Sequence, residues 1–318
     1  MRAALLCLLA IWLWPDLARG AEALKVVLIL EHDGDSSFNK LLIAGLERAK
    51  REPDVEGRVI VAGKDPVDAF RRAAGEADLV IVATDAMHEI LRDNAGAFRS
   101  VKFGAIDAGI RARNIMSVTF ADEQAAYLAG AIAAMSSDGP LAWLSGADVP
   151  SLRSLYNGFV EGAKLADPDR VVVQAVSGSF TDGMLAADKA RALASRHPGV
   201  AVLASGLGNA AAEKELGRTP VIALDAADDS PRVFGSIVKA LDRAVYEIVS
   251  SAASGRFAAK EIRTYDLANG GVDFILSKAS AKKYPDAARR LAELKGEFAK
   301  GSIPLRSARQ RTLCDCLD

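Results

Sequence analysis

The sequence is poor in cysteine and histidine and carries almost no net charge, and each shortage excludes a class of protein. Three cysteines, Cys7, Cys314 and Cys316, cannot build a disulfide scaffold. Cys7 lies inside an apolar run, not at its end after small residues, so it is not read as a lipidation site. Cys314 and Cys316 form a Cys-x-Cys pair in a polar tail, 303–318, which leaves a local disulfide or an unimportant tail. Two thiols fall short of a zinc set, and His32, His88 and His197 are scattered. With 40 Lys+Arg against 41 Asp+Glu, there is no electrostatic footprint for nucleic acid or an anionic membrane. No Walker sequence, Gly-x-Ser-x-Gly elbow or His-Glu-x-x-His occurs, and no carboxylate is paired by motif with a histidine or a nucleophilic serine. No catalytic residue, metal ligand or cofactor is therefore assigned.

What is present is apolar and regular. Half of the 318 residues are hydrophobic, too many for a disordered chain, and the length accommodates two lobes. Residues 1–20 read as a secretory signal peptide. Arg2 supplies the positive start, Ala3 to Trp14 the apolar run, and Ala18-Arg19-Gly20 the small-residue cleavage pattern. A second cut option follows Ala23. The run is short for a membrane span, and no later stretch is long enough for one. The expectation is a secreted, soluble protein.

Beyond it, apolar runs alternate with amphipathic segments. The runs are Leu24–Leu30, Val59–Ala62, Leu79–Ala83, Val101–Ile106, Ile115–Val118, Leu141–Leu144, Val171–Val176, Val200–Ala204 and Val221–Leu224. Helical stripes fall at Phe38, Leu41, Leu42, Gly45, Leu46 and Ala49, and at Leu152, Leu155, Tyr156, Phe159, Val160 and Ala163. A third stripe runs from Ile237 and Val238 through Leu241 and Ala244 to Val249, and a final helix is expected over 279–300. Such alternation predicts βαβ units and parallel sheets. Nine strands exceed one comfortable sheet, so two lobes are expected, with crossings sought at Thr119–Gln124, Ala226–Pro231 and Ala268–Gly271.

In open α/β sheets, ligands bind beyond the carboxyl ends of the strands. Asp35, Phe38, Asn39, Asp85, Asp107, Phe180, Ser205, Gly206 and Asp225 therefore carry the interest. Gly206-Leu-Gly208-Asn-Ala-Ala211 partly matches a dinucleotide fingerprint, but its glycines equally suit close backbone approach to some other ligand. Carboxylates without catalytic partners favour hydrogen-bond acceptance from a polyhydroxylated or amine-bearing ligand. Phe38 and Phe180, if not core, would clamp a flat ring.

Several phrases resemble the basic-membrane-protein family, the nucleoside receptors of ABC importers. They are Asp35-Ser-Ser-Phe38-Asn39, the stretch Phe120-Ala-Asp-Glu123-Gln-Ala-Ala-Tyr127-Leu-Ala-Gly130, Gly158-Phe159-Val-Glu-Gly162, Ser236-Ile-Val-Lys239 and Gly270-Gly271-Val272. They are collinear over about residues 24–276. The resemblance implies a type I periplasmic binding protein fold, two Rossmann-like lobes joined by three crossovers, closing on the ligand as a hinge. The lobes would comprise 24–119 with 234–264, and 120–231 with 268–300.

It also implies roles. Phe38 and Phe180 would sandwich a purine, and Asp35 and Asn39 would bond the base edge or fix the first loop. Gly206 and Asp225 would hold ribose hydroxyls, and Lys239 would donate to the same sugar from the opposite lobe. Partners would be a nucleoside-like ligand and an inner-membrane permease, with the receptor a monomer and no nucleic acid bound. The sequence departs from the family's pattern at Ser205, where a glycine is usual, at Asp225-Ala-Ala-Asp228-Asp229, and at Asp85, which would read a base nitrogen or a different ligand. Two alternatives stay open. One is a same-fold receptor for a sugar, amino acid or modified base, including one serving a sensor. The other is a secreted nucleotide-using enzyme.

Overall fold

Strand β1 (Leu24–Leu30) is buried from Val26 to Leu30, as an apolar run covered on both faces must be. It lies inside the first of two six-stranded sheets. In this computed structural model the described residues are 22–34, 36–303, 305 and 313. The signal-peptide reading, Asp35, Cys314 and Cys316 fall outside them.

The first sheet also holds β2 (Val55–Val61), β3 (Leu79–Val82), β4 (Lys102–Ile106), β5 (Ile115–Phe120) and β11 (Ile262–Tyr265), in the order β11-β5-β4-β3-β1-β2. The second holds β6 (Leu141–Ser145), β7 (Val172–Val176), β8 (Val200–Ala204), β9 (Val221–Asp225), β10 (Val233–Lys239) and β12 (Val272–Leu276). Its order is β12-β10-β9-β8-β6-β7. Pairing is parallel throughout except where β12 runs antiparallel to β10.

Helices α1 (Ser37–Ala49) and α8 (Leu241–Ala253) pack together, with α8 lying against β1, β3 and β4. Helices α2 (Pro66–Glu76) and α3 (Asp85–Asn94) share a separate apolar layer of the first sheet with Phe70, Phe103 and Met87. In the second lobe, α4 (Asp122–Met135) and α5 (Pro150–Ala166) pair closely, and α6 (Gly183–Ala194) packs on α7 (Asn209–Glu215).

The α4–α5 contact depends on missing side chains. A Cβ at Gly130 would sit 1.9 Å from the Phe159 carbonyl oxygen, and one at Gly162 would sit 1.9 Å from that of Tyr127. Backbone cannot yield as a side-chain tip can, so the helices would have to separate. Gly162→Ala is expected to cost at least about 1–3 kcal/mol, the usual penalty of overpacking. Urea denaturation with an unchanged midpoint would mean that the helices part freely.

The nine expected strands form, and three more join them. The third stripe predicts a helix from Ile237, but Val233–Lys239 is strand β10, paired with β9 and β12 and buried at Val233, Phe234 and Ile237. Neighbouring edges on both sides outweigh a helical period only two residues deep. The chain therefore leaves the second sheet at Ala240, where the backbone amide donates to the Gly271 carbonyl at 2.9 Å. The expected crossing at Ala226–Pro231 is a loop joining β9 to β10 within one sheet. The other crossings run through Ala121, whose amide donates to Tyr265 at 2.8 Å, and through 266–271. Residues 234–239, expected with the first lobe, thus belong to the second sheet. The final helix is two, α9 (Lys278–Lys283) and α10 (Pro285–Ala299), because Pro285 drives Tyr284 out of helical geometry to φ −124°.

Candidate functional site

Loops beyond the carboxyl ends of both sheets meet between the lobes. Gly34, after β1, lies so close to Leu207, after β8, that a Cβ there would come 2.5 Å from the leucine Cδ1. The Ser151 hydroxyl, in the first turn of α5, donates to Asp85 Oδ2 at 2.9 Å across the same divide. Asp85 is the first residue of α3, placed by the Thr84 N-cap.

The first-lobe loop is fastened at both ends. Ser36 caps α1 by accepting from the Asn39 amide, and Asn39 Nδ2 donates back to the carbonyls of His32 and Gly34 at 3.2 and 3.3 Å. Asn39 thus holds the loop. Phe38, beside it, is half-buried and packs on the main apolar cluster.

Opposite, Phe180 stands on the loop between β7 and α6. Ser177 Oγ donates to the carbonyls of Ser145 and Ser179, and Ser179 Oγ accepts from the amides of Thr181 and Asp182. The Phe180 ring rests on Gly146, where a Cβ would come 2.3 Å from its Cδ1. Its carbonyl accepts from the Leu207 amide at 2.8 Å and backs onto Gly206, which takes φ +59°. Phe180, Gly206 and Gly146 thus form one wall, and among the described residues Phe38 and Phe180 make no ring contact with each other. The fingerprint-like glycines serve packing. Asn209 Oδ1 holds the Ser205 amide at 2.7 Å, and the Ser205 hydroxyl is buried without a partner.

The floor is charged. Lys239, at the end of β10, is buried with its Nζ 2.6 Å from Asp107 Oδ2 and 3.0 Å from Asp122 Oδ2. The Phe120 ring centroid lies 5.0 Å from the same Nζ. Asp107 follows β4 in the first lobe, and Asp122 opens α4 in the second, directly after the crossing at Ala121. Asp225, at the end of β9, is the register partner of Val238. Lys239 and Asp225 therefore come from neighbouring strands of one sheet, which corrects the expectation that Lys239 reaches in from the opposite lobe.

Burial pulls the Lys239 ammonium down, but Asp107, Asp122 and Asp225 more than offset this, and its pKa rises above the ordinary lysine value. Burial pushes the Asp122 carboxyl up against the pull of Lys239, and its Oδ1 is buried with no hydrogen-bond partner. Asp225 is pushed up to about 6, first by burial and also by Asp107, against the attraction of Lys239. Asp107 and Asp225 both sit at positive φ, 68° and 73°, a region that carries strain for a residue with a side chain. Such strain persists where surrounding structure enforces it. Here Asp107 bonds the Lys239 ammonium, and Asp225 lies close enough to feel its charge.

Of the residues expected at the site, Phe180 and Gly206 come together, as do Asp225 and Lys239. Asp85 and Asn39 engage in a cross-lobe bond and a loop bond respectively. Asp107 was visible as a strand-end carboxylate, whereas Asp122 was not singled out. Its signal was its place, first in a helix and immediately after the chain changes lobes. Chemically, the arrangement accepts hydrogen bonds through carboxylates beside an aromatic wall. His88 is buried beside it, bonded through Nε2 to the Ile106 carbonyl at 2.9 Å, and burial holds its pKa below the ordinary histidine value against the pull of Asp107 and Asp85. Among the described residues, no group of three or more His, Cys, Asp or Glu is placed to hold a metal ion.

Two lobes, three crossings and a polar, aromatic-walled cleft between strand ends define the class: a hinged two-lobe solute-binding fold. The chain belongs to the Bmp family, described as ABC transporter substrate-binding protein PnrA-like, whose profile matches residues 24–298. Among solved structures, an ABC transporter system solute-binding protein from Aeropyrum pernix K1 superposes with a TM-score of 0.82 at 21% identity, covering 90% of this chain and 94% of that one. The glucose-galactose binding protein GanP of Geobacillus stearothermophilus superposes at 0.60 and 17% identity, covering 80% and 98%. These likenesses show the fold. In sequence, the chain is 29% identical over 233 residues to the ABC transporter nucleoside-binding protein BmpA of Lactococcus lactis, covering 64% of each. It is 26% identical over 175 residues to Basic membrane protein A of Borreliella burgdorferi, covering 51% of this chain and 50% of that protein. The chain spans less than two thirds of the length of these curated relatives.

Proposed function

We propose that this protein is the periplasmic substrate-binding component of an ABC importer, and that it captures a nucleoside between its lobes. The observation that carries the reading is Asp225. Its carboxylate is held at the cleft by a strained backbone and makes no hydrogen bond among the described residues. It is an acceptor suited to vicinal hydroxyls. Lys239 spends two of its three N–H donors on Asp107 and Asp122, so one remains for a sugar oxygen. Phe180, flat on Gly146, offers a rigid face to a base, with Phe38 as the opposing ring. Asp85 and Asn39 complete the first-lobe side. The nucleoside named for the Lactococcus relative supports the same reading. The protein would act as a monomer, deliver its ligand to a membrane permease and catalyse no reaction.

A thermal-shift screen of nucleosides, free bases, sugars and amino acids tests this, because a ligand that binds only the folded state raises its melting point. A response to sugars alone would favour a same-fold sugar receptor, since the carboxylates suit any polyol. Phe38→Ala is expected to weaken nucleoside binding at least about tenfold, by loss of one base–aromatic stack. An unchanged fluorescence titration would assign Phe38 to packing alone.

A further inference from the structure

Leu313 is joined to a loop of the second lobe that borders the cleft. Leu313 is only 5% exposed and belongs to the main apolar cluster, against which Ile303 and Leu305 also pack. Its backbone amide donates to Asp148 Oδ1 at 3.1 Å. Asp148 also receives both arms of the Arg153 guanidinium, at 2.6 Å each. The Arg153 bonds come first in holding the Asp148 carboxyl below the usual range, and the Leu313 amide adds to them, so this acceptor stays ionised.

Asp148 sits in the short loop from Ser145 to Pro150 that joins β6 to α5. At its start, Gly146 is the surface on which the Phe180 ring lies, and its amide is tied to the Ala204 carbonyl at 2.9 Å. Ser145 Oγ donates to the Ala147 carbonyl at 2.9 Å. At its end, α5 opens with Pro150 and Ser151, the partner of Asp85 across the cleft. Inside the loop, the side chain of Asp148 is the anchor, and it accepts the Leu313 amide from a distant part of the chain.

We infer that Leu313 is a positioning residue for the ligand site: its buried side chain and backbone amide pin the 145–150 loop and so fix the floor beneath Phe180. The inference rests on the reading of the cleft as the ligand site, and it assigns Leu313 a part in binding. Leu313 touches no ligand in this scheme. It acts through Asp148 and Gly146.

The test uses the full-length protein with Leu313→Asp, Leu313→Ala and the conservative Leu313→Met. Hydrogen exchange of 145–153 is followed without ligand, and binding of guanosine and adenosine is followed by calorimetry. Leu313→Asp should speed exchange of the loop amides at least about fivefold and weaken nucleoside binding by a similar factor, with exchange elsewhere in the second lobe unchanged. Leu313→Met should restore both. Should the aspartate variant fail to fold, the alanine variant should show the same pattern at smaller amplitude. Loop exchange within about twofold of wild type in Leu313→Asp, or uniform acceleration across the lobe in either variant, overturns the inference. Wild-type protein that binds neither nucleoside overturns the nucleoside reading instead, and the exchange measurement still decides whether Leu313 pins the loop.

Discussion

Asp225→Asn is expected to abolish nucleoside binding while leaving a folded protein. Asparagine keeps the size of the side chain and tolerates the left-handed backbone at φ 73°, so the fold has little reason to change. What disappears is the charge. A hydrogen bond to an ionised acceptor contributes about 1.5–3 kcal/mol, and an acceptor serving two hydroxyls loses about twice that. A loss of this size weakens affinity by two orders of magnitude or more. Asp225→Ala should be equally inactive and less stable, because alanine adds backbone strain at this position. Calorimetry showing wild-type affinity in the asparagine variant would remove Asp225 from the site.

The same carboxylate gives a pH signature with two opposite signs. Its folded pKa is pushed up to about 6, above the ordinary 3.8. In the ligand-free protein, its contribution to stability is full below 3.8 and is lost as pH rises through about 6. Ligand binding needs the ionised form, so affinity should fall as pH drops through about 6, reaching about a tenfold loss one unit lower. Acid therefore favours the empty protein and disfavours the complex at one group. The asparagine variant should show neither slope, and a flat affinity profile in wild-type protein between pH 5 and 7 would rule out the ionised acceptor.

Lys239→Met should damage the protein more than the site. The ammonium is shared by Asp107 and Asp122, with Asp225 close enough to add to its field. The three acids come from both lobes, and Asp122 and Lys239 each stand beside a crossing. Removing one partner of a buried ion pair typically costs about 3–5 kcal/mol, because the other charge stays buried and unpaired. Here two bonded carboxylates are stranded at once. The variant should melt far below wild type at pH 7 and recover part of the loss in acid, where the stranded acids take up protons. Adding Asp122→Asn should restore some stability, since it removes one orphaned charge. In wild type, the raised pKa of Lys239 keeps it charged, so its contribution is present at neutral pH and is lost only in strong alkali. Unchanged thermal stability of Lys239→Met would mean that the cluster is not a structural keystone.

Much of the site was legible because strand-end position is encoded locally. An apolar run ends, a polar residue follows, and parallel topology sends it to the cleft. That logic located Phe180, Gly206, Asp225 and Asp107. It failed for Asp122, which lies at a helix start, and the lobe of Lys239, implied by the resemblance alone, came out wrong because β10 mixes a strand's burial with two residues that also fit a helical stripe.

What the sequence by itself determined is therefore the part written in local pattern: nine strands, the helices between them, a parallel two-lobed architecture, and a nearly neutral balance of charge. Its collinear phrases also pointed to the family that the profile match confirms. Only the tertiary structure decided which sheet each late strand joins, since a strand takes whichever edge is open to it and its own residues do not name that edge. Only there do Asp107, Asp122 and Asp225 converge on Lys239. Asp107 and Asp122 lie 132 and 117 residues from Lys239 along the chain, and the field that the four groups share arises from burial, a property of the folded molecule and of no segment within it.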